Sequence, residues 1–375
     1  MNISNLLIIW FKEHKRELPW KSDKDPYKIW VSEVLLQQTR VEQAKNYFFS
    51  FISRFPTVQS LANAPLDHVL LLWQGLGYYS RARNMHEAAK QIVTEFDGQF
   101  PRSMQELSRL KGVGPYTAAA IAAFAFDEPV VALDGNGFRI FSRLFAESTP
   151  IDTSKGRKVF AALAQDCLST IPSSIFNQAI MDFGSLVCTP LPKCNDCPLN
   201  GHCLAFAQNR VADFPVKRAK KALRNRYFYY LHIGVVSSNS EGLMGGGLLT
   251  EYTFIQQRLQ KDIWQNLYQF PLIETESLLP IDAIPDRPEW HAIFGTQTPH
   301  IVGYTPKYLH RLTHQVLHTY YICIYLEKAS DWLQSNCIKI PSSHIDRYGI
   351  SRLMERYLLD ESINHLSLGH ANSSL

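Results

Sequence analysis

The secondary-structure pattern of the chain changes near residue 226, and this change limits what the chain can fold into. Before it, strand patterns are nearly absent and helical periodicity dominates, as in residues 26–54. After it, segments rich in β-branched and aromatic residues occur at 226–237, 248–257 and 316–326, with turn signals between them. The sequence therefore predicts a multidomain chain, with an all-α region followed by an α+β domain.

Length and composition agree with this division. The chain has 375 residues, of which 46% are apolar, and this is enough for more than one hydrophobic core. We place a helical domain at residues 1–210, a basic linker at 211–226, the α+β domain at 227–350 and a C-terminal tail at 351–375.

The charge balance is only mildly basic. The formal net charge is +4, so affinity for a polyanion would depend on local clusters of basic residues. Six lysines and arginines between Lys217 and Arg226 form such a cluster, with no acid among them. A solvated linker and a phosphate contact explain this cluster about equally well.

The sequence carries no sign of a membrane segment. No basic region precedes the short apolar run at the N-terminus, and no stretch approaches the ~20 apolar residues of a membrane span. The seven cysteines, four of them between 188 and 203, fit a reducing compartment better than a disulfide framework. We therefore expect a cytoplasmic protein without a membrane partner.

The four clustered cysteines have the spacing Cys188-x5-Cys194-x2-Cys197-x5-Cys203, which can close round one centre. Zinc ribbons usually supply two C-x2-C pairs, whereas one pair with two longer arms suits an iron–sulfur cube. Structural zinc and unligated thiols are the alternatives. No flavin or nicotinamide motif accompanies the loop, so we expect one 4Fe-4S cluster with a structural role.

A glycine-punctuated turn lies within residues 110–139. Gly112 and Gly114 are separated by one residue, and glycine tolerates positive φ and lets a phosphate approach the main chain closely. The helix from about Thr117 would offer its unpaired N–H groups to that anion, and an apolar extended run then leads to Asp134. This arrangement can hold a DNA backbone and direct a carboxylate at it. An ordinary turn between two helices is the alternative.

Several segments together resemble MutY-type adenine DNA glycosylases of the helix-hairpin-helix superfamily. They are LPWKSDKDPYKIWVSEVLLQQTRV at 18–41, residues 55–84, the glycine turn, LDGNGFR at 133–139, and FNQAIMDFGSLVC at 176–188 with the cysteine loop. The resemblance implies two α-helical lobes that grip a bent duplex, an iron–sulfur loop at 188–203 and a Nudix-like C-terminal domain. It implies a bacterial-type, nucleoid-associated monomer that hydrolyses the N-glycosidic bond of adenine mispaired with 8-oxoguanine or guanine in double-stranded DNA.

Two carboxylates could divide the chemistry of base removal, which needs a proton on the departing purine and stabilisation of an oxocarbenium-like sugar. Glu33 lies in an otherwise apolar helix, where burial would raise its pKa and keep it available as an acid. By the resemblance it protonates N7 of adenine and later handles the attacking water. Asp134 begins a helix whose dipole would keep it ionised and facing the sugar cation. A surface glutamate and a simple helix cap are the alternatives.

Tyr116 occupies the position where endonuclease III-like relatives carry a Schiff-base lysine. Without an amine there, we expect a monofunctional glycosylase in which the phenol orients or shields the sugar. Asn136, one turn into the next helix, is expected to hold the site water or the sugar. The valine that usually follows this asparagine in the family is Gly137 here.

The resemblance assigns further contacts with the DNA bases. Gln38 and Tyr78 would be the wedge residues, which fill the gap that base flipping leaves in the stack. Leu36 would line the adenine pocket. Gln178 would contact the adenine or its waters. Lys21 stands where some relatives have an arginine beside the substrate.

Contacts with the DNA backbone are expected in two places. Lys111, Gly112 and Gly114 belong to the glycine turn, and Arg81 and Arg83 follow the second wedge residue. Surface salt bridges are the alternative for the two arginines.

The C-terminal domain lacks the glutamate-rich metal helix of Nudix pyrophosphatases, so we expect it to be a recognition module. Leu312, Thr313 and His314 align with the phenylalanine-serine-histidine loop that inspects 8-oxoguanine, with the aromatic side chain lost. Residues 263–271 resemble a second family segment in which small residues are replaced, as at Asn266, and this leaves the local turn uncertain.

Two other functions are compatible with much of this pattern. One is an endonuclease III-like glycosylase and lyase for oxidised pyrimidines, which Tyr116 and the additional domain oppose. The other is a non-catalytic iron–sulfur protein that binds DNA.

Overall fold

The computed structural model describes residues 2–20, 23–168, 171–219, 222–235 and 252–360. The chain divides into two compact units. The first unit comprises Met1–Ala64 and Arg83–Lys220, and the second comprises Pro65–Ala82 and Lys221–Leu375. Among the residues just given, no helix is both long enough and apolar enough to cross a membrane.

The chain up to the linker is helical, as predicted. In order, its helices are α1 (Ile3–His14), α2 (Pro26–Leu36), α3 (Val41–Arg54), α4 (Val58–Ala62), α5 (Leu66–Leu72), α6 (Ser80–Glu95), α7 (Met104–Leu107), α8 (Pro115–Phe126), α9 (Gly135–Leu144), α10 (Ser154–Cys167), α11 (Ser173–Leu186) and α12 (Leu204–Ala207). Helix α5 belongs to the second unit, and α6 begins in the second unit and continues into the first.

Helix α8 organises the first unit because its side chains are small and apolar on all sides. Its residues from Thr117 to Ala123 are buried, and it packs against α2, α7 and α11. A helix that is apolar all round is stable only when it is buried. This packing brings the middle of α2 close to the start of α8.

The helical stretch predicted for residues 26–54 forms two helices. Helix α2 ends at Leu36, α3 begins at Val41, and Gln38 between them has a φ of 60°. Both helices bury apolar faces, so the spacing of apolar residues resembles that of one continuous helix. Hydrophobic periodicity therefore did not predict the turn at Gln38.

The second unit is built on a mixed β-sheet. Its strands are β1 (Arg224–Val235), β2 (Tyr252–Gln257), β3 (Tyr268–Gln269), β4 (Leu272–Thr275), β5 (His300–Tyr304), β6 (Tyr308–Arg311), β7 (Gln315–Leu326) and β8 (Ile338–Pro341). Its later helices are α13 (Pro288–Phe294), α14 (Asp331–Asn336) and α15 (Arg352–Leu358). The predicted strand residues 236–237 and 248–251 lie outside the described residues.

Strands β1 and β7 run parallel at the middle of this sheet, in register from Arg224 opposite Gln315 to Val235 opposite Leu326. Strands β2 and β4 pair antiparallel with β1, strands β5 and β6 pair antiparallel with β7, and β8 pairs with β2. Successive residues of β1 enter different cores: Phe228 packs in one with α15, and Tyr229 packs in another with α13 and α14. Burial on both faces explains the nearly continuous apolar run of β1.

The boundaries of the second unit differ from those predicted. Residues 65–82 were placed in the helical domain, but Asp67 accepts hydrogen bonds from Tyr268 at 2.9 Å and from Gln257 at 3.2 Å. Helix α15 lies in the predicted tail at 351–375, yet Leu353 and Tyr357 are buried in the sheet core. A helix of two turns cannot be distinguished from a frayed end by periodicity. The rest of that tail, 361–375, lies outside the described residues.

Candidate active site

A wide cleft opens between the helices of the first unit, with a volume of about 1310 Å³. Helices α2, α8, α9 and α11 contribute to its walls. The predicted site residues that line it are Glu33, Leu36, Gln38, Tyr116, Asp134, Asn136 and Gln178. The structure therefore brings both predicted carboxylates into one cavity. Lys21, which was predicted to lie beside the substrate, is outside the described residues.

Glu33 is buried in α2, as the apolar helix predicted, with 6% of its surface exposed. The Tyr116 hydroxyl donates a hydrogen bond to Glu33 Oε2 at 2.6 Å. Burial raises the pKa of Glu33 to about 7, the Tyr116 contact lowers it, and the nearby charge of Asp134 raises it further. Glu33 can therefore carry a proton near neutral pH and exchange it.

Asp134 is the N-cap of α9. Its Oδ1 accepts from the main-chain N–H of Gly137 at 2.8 Å, and its Oδ2 accepts from Asn136 Nδ2 at 2.8 Å. The sequence predicted that the dipole of α9 keeps Asp134 ionised, and burial acts against this. Burial raises the pKa of Asp134, and this effect is larger than the lowering by the contacts with Gly137 and Asn136.

Asn136 holds Asp134 in place, and both ends of its amide are engaged. Its Nδ2 donates to Asp134, and its Oδ1 accepts from Arg139 Nη2 at 2.7 Å. Arg139 also donates to the carbonyl of Gly184 at 2.6 Å and to the carbonyl of Cys188 at 2.7 Å. The amide therefore orients a carboxylate, and its predicted contact with the site water or the sugar stays a prediction.

Gly137, where the family usually has valine, fits a tight space. A Cβ on Gly137 would lie 2.8 Å from the side chain of Leu133. A valine here would therefore require Leu133 to move. The main-chain N–H of Gly137 still donates to the Asp134 carboxylate, so glycine at this position leaves the carboxylate in place.

The four clustered cysteines line one small cavity together, and none of them forms a disulfide. Buried Arg143 holds the loop around them, because it donates to the carbonyls of Thr189 at 2.7 Å and Pro190 at 3.0 Å. Its Nη1 also lies 3.5 Å from Cys188 Sγ. Among the described residues, no three potential metal ligands are arranged to hold a single ion. Four cysteines that line one cavity are a donor set that either zinc or an iron–sulfur cluster could use.

The glycine turn agrees with its prediction at one glycine and differs at the other. Gly112 has a φ of +74°, and a Cβ there would lie 2.5 Å from Asn84. Gly114 has a φ of −81° and is the N-cap of α8, so its conformation does not require glycine. A Cβ on Gly114 would meet nothing within 4 Å, so there is open space for a ligand at the main chain. Lys111 beside this turn is exposed.

The two predicted wedge residues have an unusual backbone conformation in common. Gln38 has a φ of 60° and Tyr78 a φ of 47°, values that cost energy for side chains other than glycine. Both side chains are exposed. Gln38 lies at the cleft of the first unit, whereas Tyr78 belongs to the second unit, where its hydroxyl lies 3.1 Å from Thr313 Oγ1.

Arg81, predicted to contact phosphate or to form a surface salt bridge, is buried instead. Its guanidinium lies over the rings of Trp73 at 5.2 Å and Tyr78 at 5.7 Å, which explains its burial in the second unit. Burial lowers the pKa of Arg81 to about 10. Sequence position beside an exposed wedge did not reveal that the side chain turns inward.

The predicted recognition loop forms the hairpin turn between β6 and β7. The main-chain N–H of Leu312 donates to the carbonyl of Gln315 at 2.8 Å, and the side chains of Thr313 and His314 are exposed. In the second family-like segment, Asn266 has a φ of 66°. Asparagine tolerates this conformation better than most residues, so it can replace a small residue there.

The basic cluster near residue 226 is only partly a linker. Arg226, the third residue of β1, is buried and donates to Asp262 at 2.7 Å and to Glu274 at 2.6 Å. Arg218 donates to the carbonyl of Asp152 at 2.9 Å in the first unit. Neither a solvated linker nor a phosphate contact describes Arg226, whose partners are distant in sequence.

Sequence patterns did not identify several residues that shape the site. Arg139 and Arg143 bind main-chain carbonyls around the cysteine loop, and Asp182 lies buried beside Arg16. The signal for Asp182 was an acid within the apolar pattern of α11, one turn after Gln178. The main-chain partners of the two arginines leave no trace in the sequence.

Comparisons with known proteins indicate the family. Residues 31–165 match the family profile of HhH-GPD superfamily base excision DNA repair proteins. Over 275 residues the chain is 37% identical to the adenine DNA glycosylase of Buchnera aphidicola subsp. Schizaphis graminum (strain Sg), which covers 73% of this chain and 75% of the relative. Over 333 residues it is 33% identical to the adenine DNA glycosylase of Buchnera aphidicola subsp. Baizongia pistaciae (strain Bp), which covers 88% of each.

A solved structure of a thermostable thymine-DNA glycosylase superposes with a TM-score of 0.51 at 26% identity, and it covers 55% of this chain and 95% of that one. This likeness supports a glycosylase fold for part of the chain. The family predicted from the sequence motifs is confirmed by these matches. The chain belongs to the adenine DNA glycosylase family, within the HhH-GPD superfamily of base excision DNA repair proteins.

Proposed function

We propose that this protein is a monofunctional, monomeric DNA repair glycosylase that hydrolyses the N-glycosidic bond of adenine mispaired with 8-oxoguanine or guanine in double-stranded DNA. The observation that carries the proposal is the pair of carboxylates, buried Glu33 and partly buried Asp134, in one cleft. Two acids with different surroundings can act as proton donor and as anion in the same reaction.

Glu33 acts as the general acid. It passes its proton to N7 of the extruded adenine, so that the base leaves as a neutral molecule when the bond from the sugar to N9 breaks. The raised pKa of about 7 supports this role, because a protonated carboxyl is then available at neutral pH. The resulting carboxylate accepts a proton from the water that attacks the sugar. The products are free adenine and an abasic site.

Asp134 stabilises the cationic sugar between these two steps. A developing positive charge beside the carboxylate favours its ionised form, against the effect of burial. Asn136 and the main-chain N–H of Gly137 fix its orientation. Tyr116 positions Glu33 through its hydroxyl and shields the sugar, and a phenol cannot form a Schiff base.

Gln38 and Tyr78 insert into the base stack when the adenine is extruded, and Leu36 lines its pocket. Their exposed side chains and the left-handed backbone of the two wedges support this assignment. Lys111 and the main chain at Gly112 and Gly114 contact a phosphate at the start of α8. Lys21 would add a positive charge beside the substrate.

The second unit serves as a Nudix-like recognition module for 8-oxoguanine. Its mixed sheet and the exposed hairpin turn with Thr313 and His314 support this role. A hydroxyl and an imidazole are suitable partners for the N7 hydrogen and O8 oxygen that distinguish 8-oxoguanine from guanine.

Cys188, Cys194, Cys197 and Cys203 would hold one 4Fe-4S cluster, which supplies four iron–thiolate bonds that tie the loop together. Their shared cavity supports this assignment. Arg143 fixes the main chain of the loop, so that the thiols converge without a disulfide.

The test is incubation with duplexes that carry a single adenine opposite 8-oxoguanine or guanine, followed by alkali. We expect free adenine and strand breaks that appear only after alkali. Strand breaks without alkali, or a covalent adduct trapped by borohydride, would indicate a lyase. Release of an oxidised pyrimidine without release of adenine would contradict the proposed substrate.

A further inference from the structure

Asp182 is a fully buried carboxylate beside the cleft, and the reaction steps above do not use it. It lies on α11, one turn after Gln178, and its side chain has 0% exposed surface. The main-chain N–H of Arg16 donates to Asp182 Oδ2 at 3.1 Å, and Arg16 Nε donates to Oδ1 at 2.8 Å. Arg16 Nη2 lies 2.8 Å from the same Oδ1. Asp182 is therefore held rigidly as an acceptor by a cation.

Gln178 is the residue that this fixed acceptor orients. Its Nε2 donates to Asp182 Oδ1 at 3.1 Å. A carboxylate paired with arginine accepts hydrogen bonds but cannot donate them, so only the amino side of the amide can face it. Because the amide is planar, Oε1 then lies on the other side from Asp182. Gln178 lines the same cleft as Glu33 and Asp134.

An amide oxygen in that cleft distinguishes purines by the group at position 6. The 6-amino group of adenine donates a hydrogen bond to it, whereas the 6-oxo group of hypoxanthine or guanine presents a second acceptor. Two acceptors that face each other away from water leave both unsatisfied. A free glutamine could rotate its amide and accept either base, but a glutamine fixed by Asp182 could not.

We propose that Asp182, charge-paired with Arg16, is a positioning residue that fixes the Gln178 amide, so that the site presents an acceptor to the 6-amino group of the extruded base. The inference rests on the proposed function, because it needs a purine in this cleft. It assigns base discrimination to a buried carboxylate that contacts neither the base nor the reacting bond.

The alternative is that Asp182 only supports the fold, since α1 packs against α11. Loss of a structural acid would slow the release of every base by a similar factor. Loss of amide orientation would change the ratio between bases. The ratio of release rates therefore separates the two roles.

The experiment measures single-turnover release from duplexes that carry adenine, hypoxanthine or unsubstituted purine at one position opposite 8-oxoguanine. The variant is Asp182→Asn, which keeps the shape but replaces one acceptor oxygen with a donor. We expect the ratio of adenine release to hypoxanthine release to fall by about tenfold, the size expected for one unsatisfied buried hydrogen-bonding group. Purine lacks a group at position 6, so its release should change least.

Two further variants keep the test decisive. Gln178→Leu, at a partly exposed position, removes the oriented amide and should reduce the ratio by a similar factor. In the Gln178→Leu background, Asp182→Asn should then change the ratio no further, since the two substitutions act through one contact. If Asp182→Asn does not fold, Arg16→Lys keeps the charge and the main-chain contact but loses the Nε and Nη2 donors. It should give a smaller fall of the same ratio.

The outcomes separate cleanly. Equal slowing of all three bases by Asp182→Asn, with an unchanged ratio, would overturn the positioning role. A changed ratio in the Gln178→Leu background would overturn it as well, because Asp182 would then act through another residue. If the unsubstituted protein releases no adenine at all, the proposed function fails before this inference is reached.

Discussion

The acids that line the cleft of the first unit and the charges in the sheet of the second unit have different surroundings. In the first unit, Glu33 is buried and Asp134 is partly buried, and burial raises the pKa of each. In the second unit, buried Arg226 is matched by Asp262 and Glu274. Burial alone would raise the pKa of Asp262, but the hydrogen bonds from Arg226 and from a second arginine lower it to about 2.

This difference indicates which unit carries the chemistry. A buried ion network whose members satisfy one another fixes a structure and has little tendency to react. Two neighbouring acids whose pKa values are raised destabilise the fold, and such arrangements are concentrated at sites where protons move. The buried charges of the second unit stabilise its fold, whereas the cleft of the first unit contains groups that can exchange a proton.

The largest effect that tests this contrast is the loss of the proton donor. We expect Glu33→Gln to slow adenine release by roughly 10²- to 10⁴-fold, the range for general acid catalysis. DNA binding and folding should persist, because the amide keeps the shape. Single-turnover release measures the rate, and a gel-shift titration measures binding.

Glu274→Gln is the matched control, because it makes the same change at the buried network of the second unit. It should leave the release rate within a few-fold and lower the stability. If Glu274→Gln released adenine slowly and Glu33→Gln released it at the normal rate, the second unit would carry the chemistry instead of the first.

The next largest effect is on stability. Arg226→Met removes the cation shared by Asp262 and Glu274, and we expect the free energy of unfolding to fall by about 3 kcal/mol. We take the lower end of the range for buried pairs because both acids are about one-third exposed. Urea denaturation followed by tryptophan fluorescence measures this loss. Unchanged stability would show that the network contributes little.

The free energy of unfolding should depend on pH because Glu33 ionises differently in the folded and unfolded chain. Its pKa is about 7 in the native protein and near 4.5 when unfolded, so between these values the folded chain keeps a proton that the unfolded chain has lost. The stabilisation is complete below pH 4.5, declines as the pH rises through this window and is absent above pH 7. Its size is about 3 kcal/mol.

Denaturation of the unsubstituted protein and of Glu33→Gln at several pH values isolates this contribution. The difference in stability between the two should change across the window from pH 4.5 to 7 and stay constant above it. A constant difference throughout would mean that Glu33 ionises normally.

A smaller effect is expected at the recognition turn of the second unit. Thr313→Val removes the hydroxyl from the hairpin, and we expect the preference for adenine opposite 8-oxoguanine over guanine to fall by about tenfold. Tyr78→Phe is the control, because it removes the 3.1 Å contact but keeps the hydroxyl of Thr313. For each variant, the rates of adenine release opposite 8-oxoguanine and opposite guanine give this preference as a ratio. An equal loss in both variants would assign the preference to the contact between the two residues.

What the sequence predicted well depended on local patterns. The apolar neighbours of Glu33 indicated its burial, and glycine at position 112 indicated a left-handed turn. The hydrophobic periodicity and residue composition of the two halves indicated helices followed by strands, because both are local properties of the sequence. The relatives confirmed the family that the motifs suggested.

What the sequence did not predict depended on contacts between distant segments. Arg226 finds its acids 36 and 48 residues away, and Asp182 finds Arg16 across 166 residues. Arg81 turns onto two aromatic rings, although Tyr78 and Ser80 before it are exposed. Side-chain direction at such positions is decided by packing, which a single sequence does not record.

The most direct test is the ionisation of Glu33 itself, followed by carbon-13 NMR of glutamate side-chain carboxyls as the pH changes. We expect one carboxyl with a midpoint near pH 7 that disappears in Glu33→Gln. A midpoint near the ordinary value of 4.5 for Glu33 would contradict this expectation. The first unit would then lack the proton donor on which the proposed reaction depends.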